Sequence, residues 1–366
     1  MYNSFLCSMF FKLLFAIALA SRQDLYEGSS CTLEGNGVGV CKKLHDCPTI
    51  LKQVEEGTRD SVSAGRCGFD DFTEIVCCPT NAVQKVVRRP SDIACEEYQT
   101  TKDGLEQEFY IVVHAGYESK PGEFPFAVAL GFPNEVTEDE PNPIKYSCGG
   151  TLISYEHVLT AAHCVSNIQE LIPTVVLMGT LRLHDNGTKT RRIGVSRIIV
   201  HPQYKRSTIY NDVAILKLKE KITFTTDIQP ACIYNHLPKT AEALESPELI
   251  VVGWGATSTD VDKSQVLLRT PSLRMINKTA CNPHYKQFAR LPNGIVDSLI
   301  CIKDPDENRN ADGCNGDSGG PLILKTPAVK YVIGITAFGQ HCGSSVPGVY
   351  TAIYPYLDWI EKQVWG

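Results

Sequence analysis

Fifteen cysteines, distributed unevenly along 366 residues, restrict the fold of this chain more than any other feature. Six of them fall between Cys31 and Cys78, and eight are spread from Cys95 to Cys342. A segment so short and so poor in aliphatic residues cannot fold on a hydrophobic core alone, so we expect disulfides to stabilise it. A zinc site is the alternative, and the adjacent thiols at the end of the segment fit it poorly.

The remaining cysteine, Cys7, lies at the amino terminus, before an apolar stretch over 9–19 that ends in a small-x-small motif. This pattern predicts a signal peptide over residues 1–20 and therefore secretion. A membrane anchor is the alternative, but the stretch is shorter than the ~20 residues that span a bilayer. Removal of Cys7 leaves an even number of cysteines, which predicts seven disulfides in an oxidising compartment. The net charge of -6 favours neither nucleic acid nor an anionic membrane as a partner.

The six clustered cysteines end in an adjacent pair and precede a second large domain. In this they resemble the arthropod clip domain, over residues 31–78. Spacing alone leaves fifteen pairings open for six cysteines. The resemblance implies the bridges Cys31–Cys77, Cys41–Cys67 and Cys47–Cys78.

The rest of the chain is predicted to contain one large β-rich domain. Residues 79–112 are polar, lack sustained periodicity and are interpreted as a linker and pro-region. Residues 113–366 contain many short β-rich runs without helical periods between them, which indicates an all-β barrel or sandwich. Leu357, Ile360 and Val364 stand at helical spacing, so a C-terminal amphipathic helix is expected. The predicted strands are 127–132, 175–183, 195–200, 213–218, 249–253, 330–336 and 348–353.

The segment 316–320, G-D-S-G-G, matches the G-x-S-x-G pattern around a nucleophilic serine, which several serine-hydrolase folds share. The order along the chain decides between these folds. His163 in T-A-A-H-C and Asp212 in N-D-V-A-I-L precede Ser318, whereas an α/β-hydrolase has its acid and histidine after the serine. Because a serine hydroxyl is a weak nucleophile at neutral pH, His163 is the candidate general base and Asp212 the residue that orients it.

Together these motifs resemble the chymotrypsin family of serine proteases over residues 113–366. C-G-G-T-L-I over 148–153 and G-W-G over 253–255 also carry the resemblance. It implies a chymotrypsin-like double β-barrel, two packed six-stranded barrels with the active site between them and a C-terminal helix, preceded here by the clip domain. It also implies an oxyanion hole formed by the backbone N–H groups of Gly316 and Ser318, donors typically worth about 3 kcal/mol each.

The resemblance extends to substrate specificity. Asp312 matches the acid at the base of the trypsin-type primary pocket, and Gly339 and Gly348 match the glycines that leave its walls open. The expected cleavage is therefore after Arg or Lys, because a buried unpaired carboxylate selects a cationic side chain.

Three positions depart from the family pattern. Ala337 stands where a serine usually bonds the triad aspartate, and Phe338 replaces the usual tryptophan. His341 stands where glycine is usual, and it either narrows the pocket mouth or is a solvated loop residue. We expect these changes to affect rate and extended specificity rather than the class of reaction.

Activation is expected to be unusual. Alignment from the motif P-G-E-F-P, over 121–125, places the new amino terminus at Val113, so the cut follows Val112, with a register uncertain by a residue or two. The segment 103–112 contains no Arg or Lys, unlike the same segment in most relatives. By resemblance, the freed ammonium of Val113 pairs with Asp317, whose burial without that partner would cost several kcal/mol.

The other cysteines fit the same scheme. Family precedent implies the bridges Cys148–Cys164, Cys281–Cys301 and Cys314–Cys342. The two cysteines that remain, Cys95 and Cys232, lie on opposite sides of the proposed cut. Their bridge would keep the clip domain attached to the protease, so a two-chain enzyme is expected.

Metal binding is not expected. The calcium loop of the family should fall over 179–191, but Thr180 replaces its first acidic ligand and Asp185 is the one acid there. Calcium takes six to eight oxygens, several of them charged. We therefore expect neither metal nor cofactor. Asn186 and Asn277 lie in N-x-T sequons, which predicts N-glycans on a secreted chain.

A clip domain joined to a trypsin-like domain with a non-basic activation site resembles proteases of the insect Toll immune cascade. This implies a secreted haemolymph zymogen, activated by an upstream protease and controlled by a serpin inhibitor, that cleaves a downstream protease zymogen. The alternatives are a clip protease of a melanization or developmental cascade and a non-catalytic homologue that acts as a cofactor. A digestive trypsin fits neither the clip domain nor the activation segment.

Overall fold

The chain divides into two compact units, Met1–Val87 and Arg88–Gly366. The predicted signal peptide with Cys7, the predicted activation bond, His341 and Cys342 lie outside the described residues. No helix in the described part is long and apolar enough to cross a membrane. The computed structural model describes residues 27–33, 38–56, 65–70, 73–79, 88–100, 117–137, 142–166, 171–236, 247–256, 264–314, 316–339 and 344–366.

The first unit contains a small antiparallel sheet and one short helix. Its four strands pair in the order β1-β2-β4-β3. The helix begins with Pro48, at the first position, where the missing N–H would have no intrahelical partner in any case. The elements are β1 (Ser30–Thr32), β2 (Val38–Lys43), α1 (Pro48–Glu55), β3 (Arg66–Asp70) and β4 (Thr73–Pro79).

Disulfides take the place of aliphatic packing in this unit. Its two clusters of buried side chains consist of six cysteines with Ile75 and Val76. The bridges span sequence separations of 46, 26 and 31 residues. Loops of this length stabilise by about 4 kcal/mol each in the chain-entropy model. The pairings are those that the clip resemblance implies: Cys31–Cys77, Cys41–Cys67 and Cys47–Cys78.

The second unit begins with a helix and continues into a closed six-stranded barrel. The antiparallel order is β10-β11-β8-β7-β6-β9, and β9 closes the ring because it pairs with both β6 and β10. The predicted strand over 175–183 ends at Met178, because Gly179 takes a φ of 73°. The elements are α2 (Pro90–Thr100), β5 (Tyr117–Glu118), β6 (Ala127–Pro133), β7 (Ile144–Leu152), β8 (His157–Thr160), α3 (Ala162–Val165), β9 (Val175–Met178), β10 (Arg191–Val200) and β11 (Ala214–Leu218).

A nine-stranded sheet follows, in the order β15-β16-β19-β18-β17-β13-β14-β5, with β12 beside β18. This sheet is a half-barrel, and together with the closed barrel it forms the architecture that the resemblance implies. In the described residues β14 pairs with β13 and β15 pairs with β16. Between β14 and β15, Leu273 N donates to Leu249 O of β13 at 2.8 Å. The elements are β12 (Cys232–Ile233), β13 (Glu248–Gly253), β14 (Leu268–Arg269), β15 (Arg274–Ile276), α4 (Lys278–Tyr285), β16 (Leu299–Lys303), β17 (Pro321–Lys325), β18 (Lys330–Phe338), β19 (Gly348–Ala352) and α5 (Leu357–Val364).

Helix α2 lies within the segment 79–112, where the sequence analysis expects an irregular linker. Pro90 at its first position and Asp92 in its first turn favour helix initiation. Ala94, Cys95 and Tyr98 are buried. These apolar positions extend over little more than one turn, which is why no periodicity was apparent in the sequence. A disulfide to Cys232 and a hydrogen bond from the Tyr98 hydroxyl to Ile153 O hold the helix on the barrel.

The start of α2 also bonds to the C-terminal helix α5. Leu357 and Ile360 are buried on the inner face of α5, as the spacing predicts, and Glu361 is buried beside them. Arg89 meets the Glu361 carboxylate with two nitrogens, at 3.0 and 2.8 Å, and the Ser91 hydroxyl donates to it at 2.6 Å. A buried carboxylate is tolerated when its oxygens are paired in this way.

We therefore expect Arg89→Ala to lower the free energy of unfolding by about 2 kcal/mol, because Glu361 would stay buried with one donor pair fewer. Arg88 is the matched control, since its ion pair with Glu96 is exposed on both sides. Arg88→Ala should change stability by less than about 0.5 kcal/mol. Calorimetric unfolding of the full chain measures both, and equal effects would contradict the assignment.

Candidate active site

His163 and Asp212 meet because two neighbouring strands pair antiparallel. His163 lies in α3, directly after β8, and Asp212 lies directly before β11. The register opposes Thr160, at the end of β8, to Ala214, at the start of β11. The two side chains, far apart in sequence, are thereby brought to the same edge of the first barrel.

The contacts between these two residues are short and doubled. His163 Nδ1 lies 2.6 Å from Asp212 Oδ2, and the backbone N–H of His163 donates to Oδ1 at 2.8 Å. The Asp212 side chain is 3% exposed and that of His163 is 20% exposed. The acid thus fixes the imidazole through one nitrogen and leaves the other available for proton transfer.

Ser318 lies in the turn before β17 of the second sheet and is held against the first barrel. The N–H of Gly149, in β7, donates to Ser318 O at 2.8 Å. The sulfur of Cys164 lies 3.5 Å from the same oxygen and 3.6 Å from His163 Nε2. The structure therefore places the three predicted catalytic residues at one junction between the two sheets.

The backbone around Ser318 leaves two donors without a partner. The N–H groups of Asp317, Gly319 and Gly320 each donate to a backbone carbonyl. Those of Gly316 and Ser318 make no hydrogen bond within the described part of the chain. Two amides at the candidate nucleophile that have no partner among the described residues are the donors that an oxyanion hole requires.

Gly319 is required by the tightness of this turn. Its φ is 78°, and a Cβ at this position would lie 2.3 Å from Thr160 Oγ1 and 2.6 Å from Gly149 O. A side chain here would separate the two barrels where the histidine and the serine must meet.

Asp312 is placed by the second sheet. Its carboxylate accepts hydrogen bonds from the hydroxyl of Tyr350 at 2.6 Å and from Gly313 N at 2.7 Å. A Cβ on Gly348 would lie 2.4 Å from Asp312 Oδ2, whereas a Cβ on Gly339 would meet nothing within 4 Å. The glycine at 348 is therefore what leaves room for the acid.

Burial raises the pKa of Asp312 from 3.8 to about 6, although its hydrogen bonds with Tyr350 and Gly313 oppose the shift. No cation pairs with Asp312 among the contacts of the described residues. A carboxylate of this kind is incompletely satisfied until a positive group approaches it.

Comparison with known proteins agrees with this geometry. Residues 113–360 match the family described as Trypsin. The chain belongs to the trypsin family of serine proteases. It is a trypsin-like serine endopeptidase with a chymotrypsin fold.

Relatives extend the similarity beyond the protease domain. Serine protease snk of Drosophila melanogaster is 32% identical over 359 residues, which cover 93% of this chain and 79% of that protein. CLIP domain-containing serine protease C9 of Anopheles gambiae is 28% identical over 92% of this chain and 86% of its own length. The proclotting enzyme of Tachypleus tridentatus is 28% identical over 92% of this chain and 90% of its own length.

Asp317, the predicted partner of the new amino terminus, is buried in this trypsin-family domain. Gly255 N donates to its Oδ1 at 2.7 Å and Cys314 N to its Oδ2 at 2.8 Å. Val112 and Val113 lie outside the described residues, so their predicted role stays a prediction. Cys314 is disulfide-bonded, and Cys342, its expected partner, also lies outside them. The other bridges of the second unit are Cys95–Cys232, Cys148–Cys164 and Cys281–Cys301.

Two of the positions that depart from the family pattern are described. Ala337 is buried and provides no hydroxyl. Phe338 packs on Phe288, with ring centroids 4.4 Å apart, and on Tyr285 at 6.0 Å. Phe338, Phe288 and Tyr285 thus form one packed group of aromatic rings.

Three residues around Asp312 were not predicted from the sequence. Tyr350 stands two positions after Gly348 on β19, so the alternation of a strand places both on the face of Asp312, and this signal was available. The buried Asp304 pairs with the half-buried Arg309 at 2.7 and 2.8 Å in the loop that leads to Asp312. Nothing in the spacing of that pair indicates that it forms.

The groups of three donor atoms in the described residues do not fit a metal ion. In the described residues, two groups bring three ligand atoms together: Cys31, Cys41 and Cys67, and His163 with Cys148 and Cys164. All five cysteines are in disulfides, so none supplies a thiolate.

The loop expected to correspond to the calcium loop is cross-linked by its own side chains. Asp185 accepts from the hydroxyls of Thr190 at 2.8 Å and Thr180 at 3.0 Å, and from Gly187 N at 2.9 Å. These bonds, that of Thr190 first, lower the pKa of Asp185. Its carboxylate is therefore occupied within the loop.

The raised pKa of Asp312 predicts how binding of a cation depends on pH. The ionised form predominates above about pH 6 and is lost as pH falls through that value. The affinity of the cleaved enzyme for benzamidine should therefore fall about tenfold per pH unit below pH 6. Fluorescence titration with p-aminobenzamidine measures this. The His163→Ala variant should keep the dependence, and an affinity that is constant between pH 7 and pH 5 would contradict it.

Proposed function

We propose that this protein is a secreted zymogen that hydrolyses peptide bonds after Arg or Lys in a downstream protease zymogen of an extracellular immune cascade. The observation that carries the proposal is the pairing of His163 with Asp212 at the turn that presents Ser318. Ser318 is the proposed nucleophile, His163 the general base and then the general acid, and Asp212 the group that stabilises the imidazolium.

The proposed reaction is acyl transfer to Ser318. His163 takes the hydroxyl proton as the serine oxygen attacks the substrate carbonyl, and it returns a proton to the leaving amine. The amides of Gly316 and Ser318 stabilise the negative oxygen of the tetrahedral intermediate. Water then repeats the sequence on the acyl-enzyme and releases the acid product.

Asp312 supports a preference for Arg or Lys. Its carboxylate is held by Tyr350 and bordered by Gly348, and the removal of water that raises its pKa favours a cationic partner. Gly339 is the other proposed pocket residue. A neutral side chain in the pocket would leave the acid unpaired, so discrimination arises as much from this penalty as from attraction.

Activation is proposed to follow cleavage between Val112 and Val113. The burial of Asp317 and its two backbone donors support this proposal, because a cation that reached the carboxylate would bond the turn before Ser318. The absence of Arg and Lys from 103–112 suits an activator that is not trypsin-like. The bridge Cys95–Cys232 would then keep the two chains together.

The cascade is the finer part of the proposal. The chain resembles Persephone, a protease of the insect Toll immune cascade, in its clip domain, its non-basic activation segment and the segments 267–269 and 294–301. The relatives named for a CLIP domain and for clotting support a protein substrate. An upstream protease, a downstream zymogen and a serpin are the proposed partners, in haemolymph.

Both sequons are compatible with N-glycans. Asn186 and Asn277 are exposed. Asn277 also caps α4, because its Oδ1 accepts from Ala280 N at 2.8 Å, which leaves the amide nitrogen for modification.

The activation bond is tested by exposing the full chain to microbial or haemolymph proteases and sequencing the amino terminus of the heavy chain. We expect activity to appear together with a terminus at Val113, because that terminus is the one proposed to reach Asp317. Activity that accompanies a terminus after Arg88, Arg89 or Lys102 would contradict the register.

Specificity is tested on the cleaved chain with fluorogenic peptides that end in Arg, Lys, Phe or Ala. We expect Arg and Lys substrates to be cleaved at least about 100-fold faster than the others, since the wrong side chain leaves Asp312 unpaired. Ser318→Ala should remove the activity. Asp312→Ser should lose the preference and keep the reaction with a fluorophosphonate, which separates the pocket from the catalytic residues.

A further inference from the structure

The carboxylate of Asp212 has few partners of its own. Within the described part of the chain, only the N–H and Nδ1 of His163 bond to it. Ala337, in β18, is buried and has no hydroxyl to contribute. Because the carboxylate bonds only to the histidine that it must orient, no other side chain fixes its position. The backbone of Asp212 must therefore set the orientation of its side chain.

That backbone is held in an unusual conformation one residue earlier. Asn211 has a φ of 57°, one of two positive values among the described residues that are not glycine. A left-handed residue costs free energy unless its surroundings hold it. Asn211 O accepts from Val213 N at 2.8 Å across Asp212, so the conformation of Asn211 sets where the Asp212 side chain starts.

Two bonds hold the Asn211 side chain. The Tyr356 hydroxyl donates to Asn211 Oδ1 at 3.1 Å, and Asn211 Nδ2 donates to Gln203 O at 3.2 Å. Both hydrogen-bonding ends of the amide are therefore used, one toward the C-terminal segment and one toward the loop after β10.

Tyr356 is itself rigidly placed. It is 5% exposed and lies in the turn that leads into α5. His201 packs edge-on against the Tyr356 ring at 5.0 Å and against Trp359 at 5.0 Å. The hydroxyl thus belongs to a packed aromatic group rather than to a free surface side chain.

We propose that Asn211 and Tyr356 are positioning residues for catalysis, because they fix the backbone from which Asp212 reaches His163. The turn before the C-terminal helix, through Tyr356, is in this way part of the catalytic arrangement. The inference rests on the proposed roles of His163, Asp212 and Ser318.

The test compares variants of the full chain that carry an enteropeptidase site directly before Val113, so that all are activated at one bond. Tyr356→Phe removes the hydroxyl and keeps the ring. Asn211→Gly keeps the positive φ and removes both side-chain bonds, and Asn211→Ala adds strain. Tyr98→Phe is the matched control, because Tyr98 is also 5% exposed and also donates to an oxygen, Ile153 O, away from Asp212.

We expect Tyr356→Phe and Asn211→Gly each to lower kcat on the order of 10-fold with little change in KM, since a small misplacement of a catalytic group has this size of effect. Asn211→Ala should lose more. Combining Tyr356→Phe with Asn211→Gly should cost no more than Asn211→Gly alone, because Asn211→Gly already removes the bond to the Tyr356 hydroxyl. Tyr98→Phe should retain the kcat of the parent protein, while its melting temperature falls by about as much as that of Tyr356→Phe.

A second readout is independent of turnover. The downfield proton resonance of the bond between His163 Nδ1 and Asp212 should shift or broaden in Tyr356→Phe and stay unchanged in Tyr98→Phe. If Tyr356→Phe and both Asn211 variants retain the kcat and this resonance of the parent, the inference is overturned while the proposed triad stands. If Ser318→Ala keeps the activity of the parent, the proposed triad fails and the inference fails with it.

Discussion

The buried carboxylate of Asp317 links the segment that follows Asp312 to the turn that carries Ser318. Burying a charge costs several kcal/mol unless donors meet it. Donors to this carboxylate include the backbone amides of Gly255, two residues after β13, and of Cys314, two residues after Asp312. The residue that follows Asp317 is Ser318. The proposed specificity residue Asp312 and the proposed nucleophile Ser318 therefore lie in segments that both adjoin this carboxylate.

The second constraint is the attachment of α2. A segment expected to be an irregular linker is a helix held by a disulfide, by Tyr98 and by the pairing of Arg89 with Glu361. These contacts join α2, which precedes the proposed cut, to residues that follow the cut. The chain is thus built so that cleavage need not release its amino-terminal part. The same helix α5 that receives Arg89 also leads from Tyr356, which bonds Asn211 beside Asp212.

Sequence reasoning predicted the elements with strong local signals. The short β-rich runs became strands, and Leu357 and Ile360 became the inner face of α5. Contacts between residues that are distant in sequence were not predicted. Glu361 is a charged residue that the sequence alone would place on the surface, whereas the fold buries it beside Arg89. The buried apolar residues of α2 extend over little more than one turn, too few to show a helical period. The bond from Tyr356 to Asn211 joins residues distant in sequence, and only the fold brings them together.

The central claim is that cleavage before Val113 orders the site around Ser318 through Asp317. The most direct measurement is the rate at which a fluorophosphonate labels Ser318 in the intact chain, in the chain cut before Val113 and in the cut Asp317→Asn variant. The account predicts labelling about 100-fold faster after the cut, a typical size for coupling between two sites, and no such gain in Asp317→Asn. Equal rates in the intact and cut chains, or a full gain in Asp317→Asn, would contradict it.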